Sequence, residues 1–124
     1  MEPDLPQTFK KLQKLLKRYE GPFQPTLDQD DKYDLWSLKE LVIAGKKRKE
    51  VYFAGLIIRS RYVGFYYMPV YAGPSLKKLF PPELLKRLRG KSCFHITALD
   101  RNLEKQVADA LAKGFALYKK KGWV

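Results

Sequence analysis

The segment 51–71, VYFAGLIIRSRYVGFYYMPVY, constrains the possible fold more than any other part of the chain. Two apolar runs flank the polar triplet 59–61, a pattern that predicts a β-hairpin turning at that triplet. A hairpin covered on one side alternates apolar with polar residues. Here both faces are apolar, so each needs a cover, and helices can cover only one of them completely. The second face is therefore predicted to be a binding or pairing surface.

Strict alternation assigns the residues of this hairpin to two faces. In the first strand it places Val51, Phe53, Gly55 and Ile57 on one face, and Tyr52, Ala54, Leu56 and Ile58 on the other. In the second strand it places Val63, Phe65 and Tyr67 on one face, and Tyr62, Tyr66 and Met68 on the other. A register slip of one residue would exchange the two faces.

Length and composition predict a single domain over 1–124. A chain of 124 residues is close to the commonest domain size and can bury a core without disulfides or metals. Hydrophobic residues make up 45% of the chain and aromatic residues 14%, which argues against disorder and supplies large buried surfaces.

The formal net charge of +12 is unevenly distributed. The first 40 residues carry 8 acidic and 7 basic side chains, so the whole excess lies further along the chain. Such a field would attract nucleic acid, anionic lipid or acidic proteins. The alternative is that the lysines and arginines form solvated helix faces that keep an aromatic-rich domain in solution.

The single cysteine, Cys93, excludes an intramolecular disulfide and fits a reducing compartment. The first 13 residues contain no apolar stretch typical of a secretory signal. No window approaches the run of about 20 apolar residues that a membrane span needs. We therefore expect a cytoplasmic protein with no membrane partner.

Helix signals occur at both ends of the chain. Asp4 is a good N-cap for a first helix that Gly21 and Pro22 would end. Asp100 similarly precedes a final helix predicted over 101–120. Between them, short helices are predicted over 75–79 and from Pro82 to a stop at Gly90.

Besides the hairpin, strands are predicted over 32–38, 40–44 and 92–97, with 45–50 as a hairpin tip. The element order is therefore α-β-β-β-β-α-β-α. This order predicts a two-layer α+β domain, in which an antiparallel sheet of about five strands is packed by the N- and C-terminal helices.

Cys93 and His95 lie two residues apart in a predicted strand, so their side chains share a face. That face is the one assigned to Tyr62, Tyr66 and Met68, and together these five residues are our main candidates for ligand binding. A thiol beside an imidazole could act as a nucleophile with its base, or as two metal ligands. However, a metal site needs more ligands, and the alternative is a buried thiol beside a hydrogen-bonded histidine.

Two further candidates concern anions. Lys91 and Ser92 follow Gly90 as in a phosphate-binding loop, but the upstream glycine is missing and a strand follows, so only weaker anion binding is predicted. The basic run Lys46, Lys47, Arg48 and Lys49 on the predicted hairpin tip could clamp phosphates while sheet aromatics stack on bases. No RNP or OB-fold signature accompanies it.

Acidic residues cluster over 28–34, where carboxylates could bind a hard cation, but the spacing is not that of an EF-hand. A solvated acidic loop is the favoured interpretation. The chain contains no HExxH motif, no Ser–His–Asp arrangement and no dinucleotide fingerprint. Nothing in it therefore argues for an enzyme, a metal site or a cofactor.

The chain resembles the YdhG-like family of small bacterial domains of unknown function. The residues that carry the likeness are 51–55, 62–71, Pro82-Glu83-Leu84 and 90–95, and it extends from about Phe9 to Trp123. The resemblance implies an antiparallel sheet packed by terminal helices and little about activity. Some relatives are likened to frataxin and proposed as iron chaperones, a role that needs an acidic helix or sheet edge.

The first helix of this chain is basic instead, with five cations at Lys10, Lys11, Lys14, Lys17 and Arg18. We therefore do not carry the iron binding proposed for those relatives over to this chain, and the 28–34 loop is the only place in the sequence where it could occur. The leading hypothesis is a domain that binds a small molecule or protein partner, or a second copy of itself, through the second sheet face. The alternatives are single-stranded nucleic acid or anion binding at 46–49, and metal (iron) or thiol chemistry at Cys93 and His95.

Overall fold

The computed structural model describes residues 4–43, 45–48, 50–71, 80–90 and 92–124. The helices are α1 (Leu5–Lys17), α2 (Pro82–Leu85) and α3 (Arg101–Lys120). The strands are β1 (Lys32–Ser37), β2 (Leu41–Ile43), β3 (Lys46–Arg48), β4 (Val51–Ile58), β5 (Val63–Tyr67), β6 (Leu88–Arg89) and β7 (Cys93–Ile96). A 3₁₀ turn, Met68–Tyr71, follows β5. The predicted α+β class and the N- and C-terminal helices are confirmed.

The main sheet has five strands in the order β1-β4-β5-β7-β6, and every neighbouring pair is antiparallel. Strands β2 and β3 form a separate two-stranded ribbon. The basic run predicted as a hairpin tip is therefore mostly strand, because Lys46 and Lys47 pair with Ile43 and Val42. The strand predicted over 40–44 pairs within this ribbon and not with the main sheet.

Both long helices begin at the predicted caps. The Asp4 carboxylate accepts a hydrogen bond from the Gln7 amide at 3.0 Å, and that of Asp100 accepts one from Leu103 at 2.8 Å. Each bond satisfies an amide that has no partner inside the helix. Helix α1 ends at Lys17, before the predicted stop.

The two long helices pack on one side of the sheet and enclose the core. Phe53 of β4 stacks on Phe23 with ring centroids 4.2 Å apart, and Phe23 contacts Phe115 and Tyr118 of α3 edge-on. The Tyr67 hydroxyl donates to the Ala110 carbonyl of α3 at 2.5 Å. Aromatic rings thus supply much of the helix–sheet contact, as the composition suggested.

A β-bulge in β4 makes the two faces of the hairpin differ from those predicted by strict alternation. Leu35 of β1 pairs with Ala54, whereas the next residue, Trp36, pairs with Tyr52, so Phe53 is the extra residue. Phe53 and Ala54 are both 0% exposed and both belong to the core. Strict alternation put these neighbours on opposite faces, and that prediction was wrong.

The bulge reverses the phase of alternation for the remainder of β4. The side facing the helices carries Val51, Phe53, Ala54, Leu56 and Ile58, and the other side carries Tyr52, Gly55 and Ile57. In β5 the predicted buried face of Val63, Phe65 and Tyr67 is confirmed. Met68 was predicted to continue the opposite face, but it begins the 3₁₀ turn and lies beyond the strand.

The segment before β7 also differs from expectation. Helix α2 ends at Leu85, and Leu88 and Arg89 form the edge strand β6, so the predicted helix running to Gly90 was wrong. Gly90 instead adopts a φ of 71° in the turn between β6 and β7, a conformation that glycine adopts without strain. The helix predicted over 75–79 lies outside the described residues.

Replacing Gly114 with alanine is expected to destabilise the protein by about 1–3 kcal/mol, as overpacking does. A Cβ atom there would lie 2.7 Å from Tyr67 Cζ and would collide with the Tyr67 hydroxyl. Urea denaturation of Gly114→Ala measures the loss. The double variant with Tyr67→Phe should lose less than the sum of the single variants. A stabilised Gly114→Ala protein, the usual result in an uncrowded helix, would contradict this packing.

Candidate functional site

The side of the main sheet that faces away from the helices carries the candidate site. We call it the open face, and it comprises Asp34, Trp36, Tyr52, Gly55, Ile57, Gly64, Tyr66, Cys93 and His95. Within the described ranges, both long helices lie on the opposite, core side. The prediction that Cys93 and His95 share a face with Tyr66, away from buried Phe94 and Ile96, agrees with this arrangement.

Register places the residues of the open face in cross-strand rows. One row runs through Asp34, Gly55, Tyr66 and Cys93 to Arg89 at the β6 edge. The next row runs from Lys32 at the β1 edge through Ile57 and Gly64 to His95. Side chains in the same row are close enough to touch, as Tyr66 and Cys93 do.

Two tyrosine rings lie along the sheet above glycines. A Cβ atom on Gly64 would lie 3.1 Å from Tyr66 Cε2, and one on Gly55 would collide with the Tyr52 hydroxyl. Both tyrosine side chains are half-buried. The glycines therefore leave the space in which these rings lie against the backbone. Among the residues that the structure describes, the open face is covered by its own tyrosines and not by a helix.

An aromatic pair lies at each end of the open face. At the β2–β3 end, the Trp36 and Tyr52 rings are 4.9 Å apart and tilted by 43°. At the other end, Tyr62 stacks on His95 with centroids 3.7 Å apart and ring planes 10° apart. Tyr66 lies between these pairs along β5, so aromatic surface extends over much of the length of the face.

The Tyr66 hydroxyl joins a cation to the thiol. Arg59 Nη2 donates to Tyr66 Oη at 3.0 Å, and the same hydroxyl hydrogen-bonds the Cys93 side chain. Arg59 itself is exposed in the turn between β4 and β5. The structure therefore brings Cys93 together with Tyr66 and Arg59, while His95 is engaged by Tyr62.

Burial governs the ionisation of both candidate reactive groups. Desolvation raises the pKa of the Cys93 thiol, and the opposing effects of the Tyr66 hydrogen bond and the Arg59 charge are smaller. Desolvation, followed by the Arg89 charge, lowers the pKa of His95. At neutral pH the face therefore presents a thiol and an uncharged imidazole, which is not the ion pair of an activated nucleophile.

The remaining predicted site residues lie apart from the open face or outside the described residues. Ser92 is half-buried, and its carbonyl accepts the Tyr67 amide at 2.9 Å. Lys46 and Lys47 are exposed on the ribbon, and Arg48 ends β3. Lys49 and Lys91 fall outside the described ranges.

Sequence reasoning missed the side chains that make three of the ring and cation contacts of the site: Trp36, Tyr52 and Arg59. Trp36 could have been found, because alternation in the predicted strand 32–38 puts it on the face opposite to the apolar Tyr33 and Leu35. Tyr52 was assigned to the same face as Ala54 and Leu56, which the bulge at Phe53 turns to the core side, and the bulge carries no signal of its own in the sequence. The contact of Arg59 with Tyr66 depends on the turn conformation.

The acidic loop serves a structural purpose at Asp34. Its Oδ1 accepts hydrogen bonds from Thr26 Oγ1 at 2.6 Å and from the Leu27 amide at 2.8 Å, and its Oδ2 accepts one from Trp36 Nε1 at 3.2 Å. Elsewhere in the loop, Gln13 of α1 donates to Asp28. Among the described residues, no group of three or more His, Cys, Asp or Glu side chains is placed to hold a metal ion.

Comparison with known proteins adds no assignment. No protein-family model, curated protein or solved structure matches this chain. The likeness to the YdhG-like family therefore stays a prediction from its residues. In the described part of the chain, no helix has both the length and the apolar character needed to cross a membrane.

Alkylation of Cys93 by iodoacetamide should accelerate with a midpoint pH above the ordinary value for a thiol, because burial raises its pKa. Tyr66→Phe should move the midpoint higher still, since the variant loses a hydrogen bond that lowers this pKa. The same protein alkylated in urea gives the unperturbed control. A midpoint at or below pH 7 would contradict a protonated thiol and would favour thiol chemistry at this position.

Proposed function

We propose that this protein is a binding domain whose open face holds a planar, negatively charged ligand. The observation that carries the proposal is the combination of aromatic rings lying along the sheet with cations at the margins of the same face. The rings offer stacking surface, and the cations select for negative charge.

The aromatic cover suits a flat ligand better than a bulky one. Tyr52 and Tyr66 lie against the backbone above Gly55 and Gly64, so the face has low relief along its centre. Tyr62 is half-buried and already stacks on His95, which holds its ring in place before any ligand arrives. A ring fixed in this way loses little conformational entropy when it stacks on a ligand.

The charge of the face favours an anion. Lys32 lies at the β1 edge, Arg89 at the β6 edge and Arg59 at the turn, and all three are exposed. The acidic side chain of the face, Asp34, already accepts hydrogen bonds from its own loop and from Trp36. Arg59 donates to Tyr66 through Nη2, and a guanidinium has further donors that could reach a phosphate or carboxylate.

The other hypotheses have less support. Thiol chemistry at Cys93 needs a thiolate, whereas burial raises the pKa of this thiol. A face-to-face homodimer would bring together two copies of Lys32, Arg59 and Arg89, and these like charges repel each other. An anionic ligand instead relieves the mutual repulsion of these cations.

A mononucleotide such as AMP, used as the probe, should shift the imidazole proton resonances of His95 saturably. His95 is the only histidine of the chain, so the signal needs no assignment. Tyr62→Ala and Arg59→Ala should each weaken binding about tenfold, the usual scale for one stacking contact or one charge-assisted hydrogen bond. Bound phosphate near the imidazole should also raise the low pKa of His95.

Lys10→Ala is the matched control for Arg59→Ala, because Lys10 is exposed on α1, on the other side of the sheet. It removes the same unit charge and should leave the affinity unchanged. Adenosine and inorganic phosphate, which carry the ring or the charge alone, should each bind more weakly than AMP. Absence of any saturable shift with AMP at millimolar concentration would refute the proposal.

A further inference from the structure

We infer that the ligand of the open face is single-stranded nucleic acid, which runs from the β2–β3 ribbon across the face to the turn between β4 and β5. This inference rests on the proposed function and names the substrate class. It adds a second surface, the ribbon, which a mononucleotide on the open face would not reach.

The ribbon adjoins one end of the open face. It links the end of β1 to the start of β4, where Ser37 pairs with Val51 and Trp36 pairs with Tyr52. Three peptide steps separate Arg48 from Val51, so the end of β3 lies within about 11 Å of that row. The ribbon therefore lies close to the Trp36–Tyr52 end of the open face.

The ribbon carries exposed cations and an exposed apolar residue. Lys46 and Lys47 are both exposed, and successive strand residues point to opposite sides, so one ammonium group is available on each side. Segment 39–50 contains five basic residues against two acidic ones, Glu40 and Glu50. Val42, which pairs with Lys47, is 67% exposed. Isolated two-stranded ribbons are marginally stable, which makes this one suited to ordering against a partner.

Cations and aromatic rings follow each other along one path. From the ribbon lysines it passes the Trp36–Tyr52 pair and Tyr66 to the Tyr62–His95 stack, with Arg59 at the far end. Along β4 alone, the five steps from Tyr52 to Ile57 span about 17 Å. Basic grooves interleaved with stacking rings are how proteins hold single strands without reading their sequence.

A single strand fits this path better than a duplex or an acidic protein. Stacking needs the flat faces of unpaired bases, which a duplex hides between neighbouring base pairs. An acidic peptide would satisfy Lys46, Lys47 and Arg59 but would leave the aromatic rings without stacking partners. Duplex DNA and an acidic peptide therefore serve as competing ligands in the test.

The test is fluorescence anisotropy of the full chain with labelled oligothymidylate of 3, 6 and 12 nucleotides over a series of salt concentrations. Affinity should rise with length beyond that of a mononucleotide. The logarithm of the binding constant should fall linearly with the logarithm of salt concentration, by about 0.7 for each phosphate contacted. Lys46→Ala combined with Lys47→Ala should reduce this slope by about 0.7, because one of the two ammonium groups lies on the side of the path, and weaken binding about fivefold near 0.1 M salt.

Lys10→Ala combined with Lys11→Ala is the matched control. It removes the same two charges from exposed positions on α1, behind the sheet, and should leave both slope and affinity nearly unchanged. Tyr62→Ala should weaken binding about 5- to 30-fold, and Tyr62→Phe should restore most of the loss because it keeps a stacking ring. Thermal melts monitored by circular dichroism confirm that each variant is folded before it is compared.

The outcomes separate this inference from the proposed function. If AMP binds but affinity does not rise with oligonucleotide length, or if the ribbon and α1 variants behave alike, the inference is overturned and the proposed function stands. If duplex DNA or polyglutamate competes as well as the single strand, recognition is electrostatic only and the inference is likewise overturned. If neither AMP nor any oligonucleotide binds, both fail.

Discussion

The extra residue at Phe53 is the constraint on which the rest of the structure depends. It lets two successive side chains, Phe53 and Ala54, enter the core, where Phe53 stacks on Phe23 and contacts Tyr118. The same change of phase turns Tyr52 and Gly55 to the other side of the sheet. Without it, Leu56 would point away from the helices and the core would lose a fully buried side chain.

On the open face, each of two glycines lies beneath a tyrosine ring, and these rings cover the sheet. A helix would cover an apolar sheet face by adding a layer, whereas Tyr52 and Tyr66 cover it by lying along their own strands above Gly55 and Gly64. The backbone beneath is shielded from water, the Tyr52 hydroxyl lies over Gly55, and that of Tyr66 meets Arg59 and Cys93. One arrangement thus protects the sheet and presents ring surface for recognition.

The sequence predicted those parts of the fold that depend on local signals. Asp4 and Asp100 are helix caps in the structure, and alternation correctly separated Cys93 and His95 from buried Phe94 and Ile96. Prediction from the sequence failed where pairing between distant strands decides the local structure. The bulge arises from the registry of β4 against β1, and Leu88 becomes a strand residue because β7 offers it an edge. The apolar character of the second face was evident from its residues, but the way in which glycines and rings share that face was not.

Helix α3 and the open face meet at the backbone carbonyl of Tyr52. Tyr118 of α3 donates its hydroxyl hydrogen to the carbonyl oxygen of Tyr52 at 2.7 Å, through the core side of the strand. The side chain of Tyr52 points to the other side and packs on Trp36. Docking of the helix and orientation of the ring are therefore linked equilibria. A ligand that binds the ring more tightly when this hydrogen bond is formed also tightens the hold of α3 on the sheet, and the coupling is reciprocal.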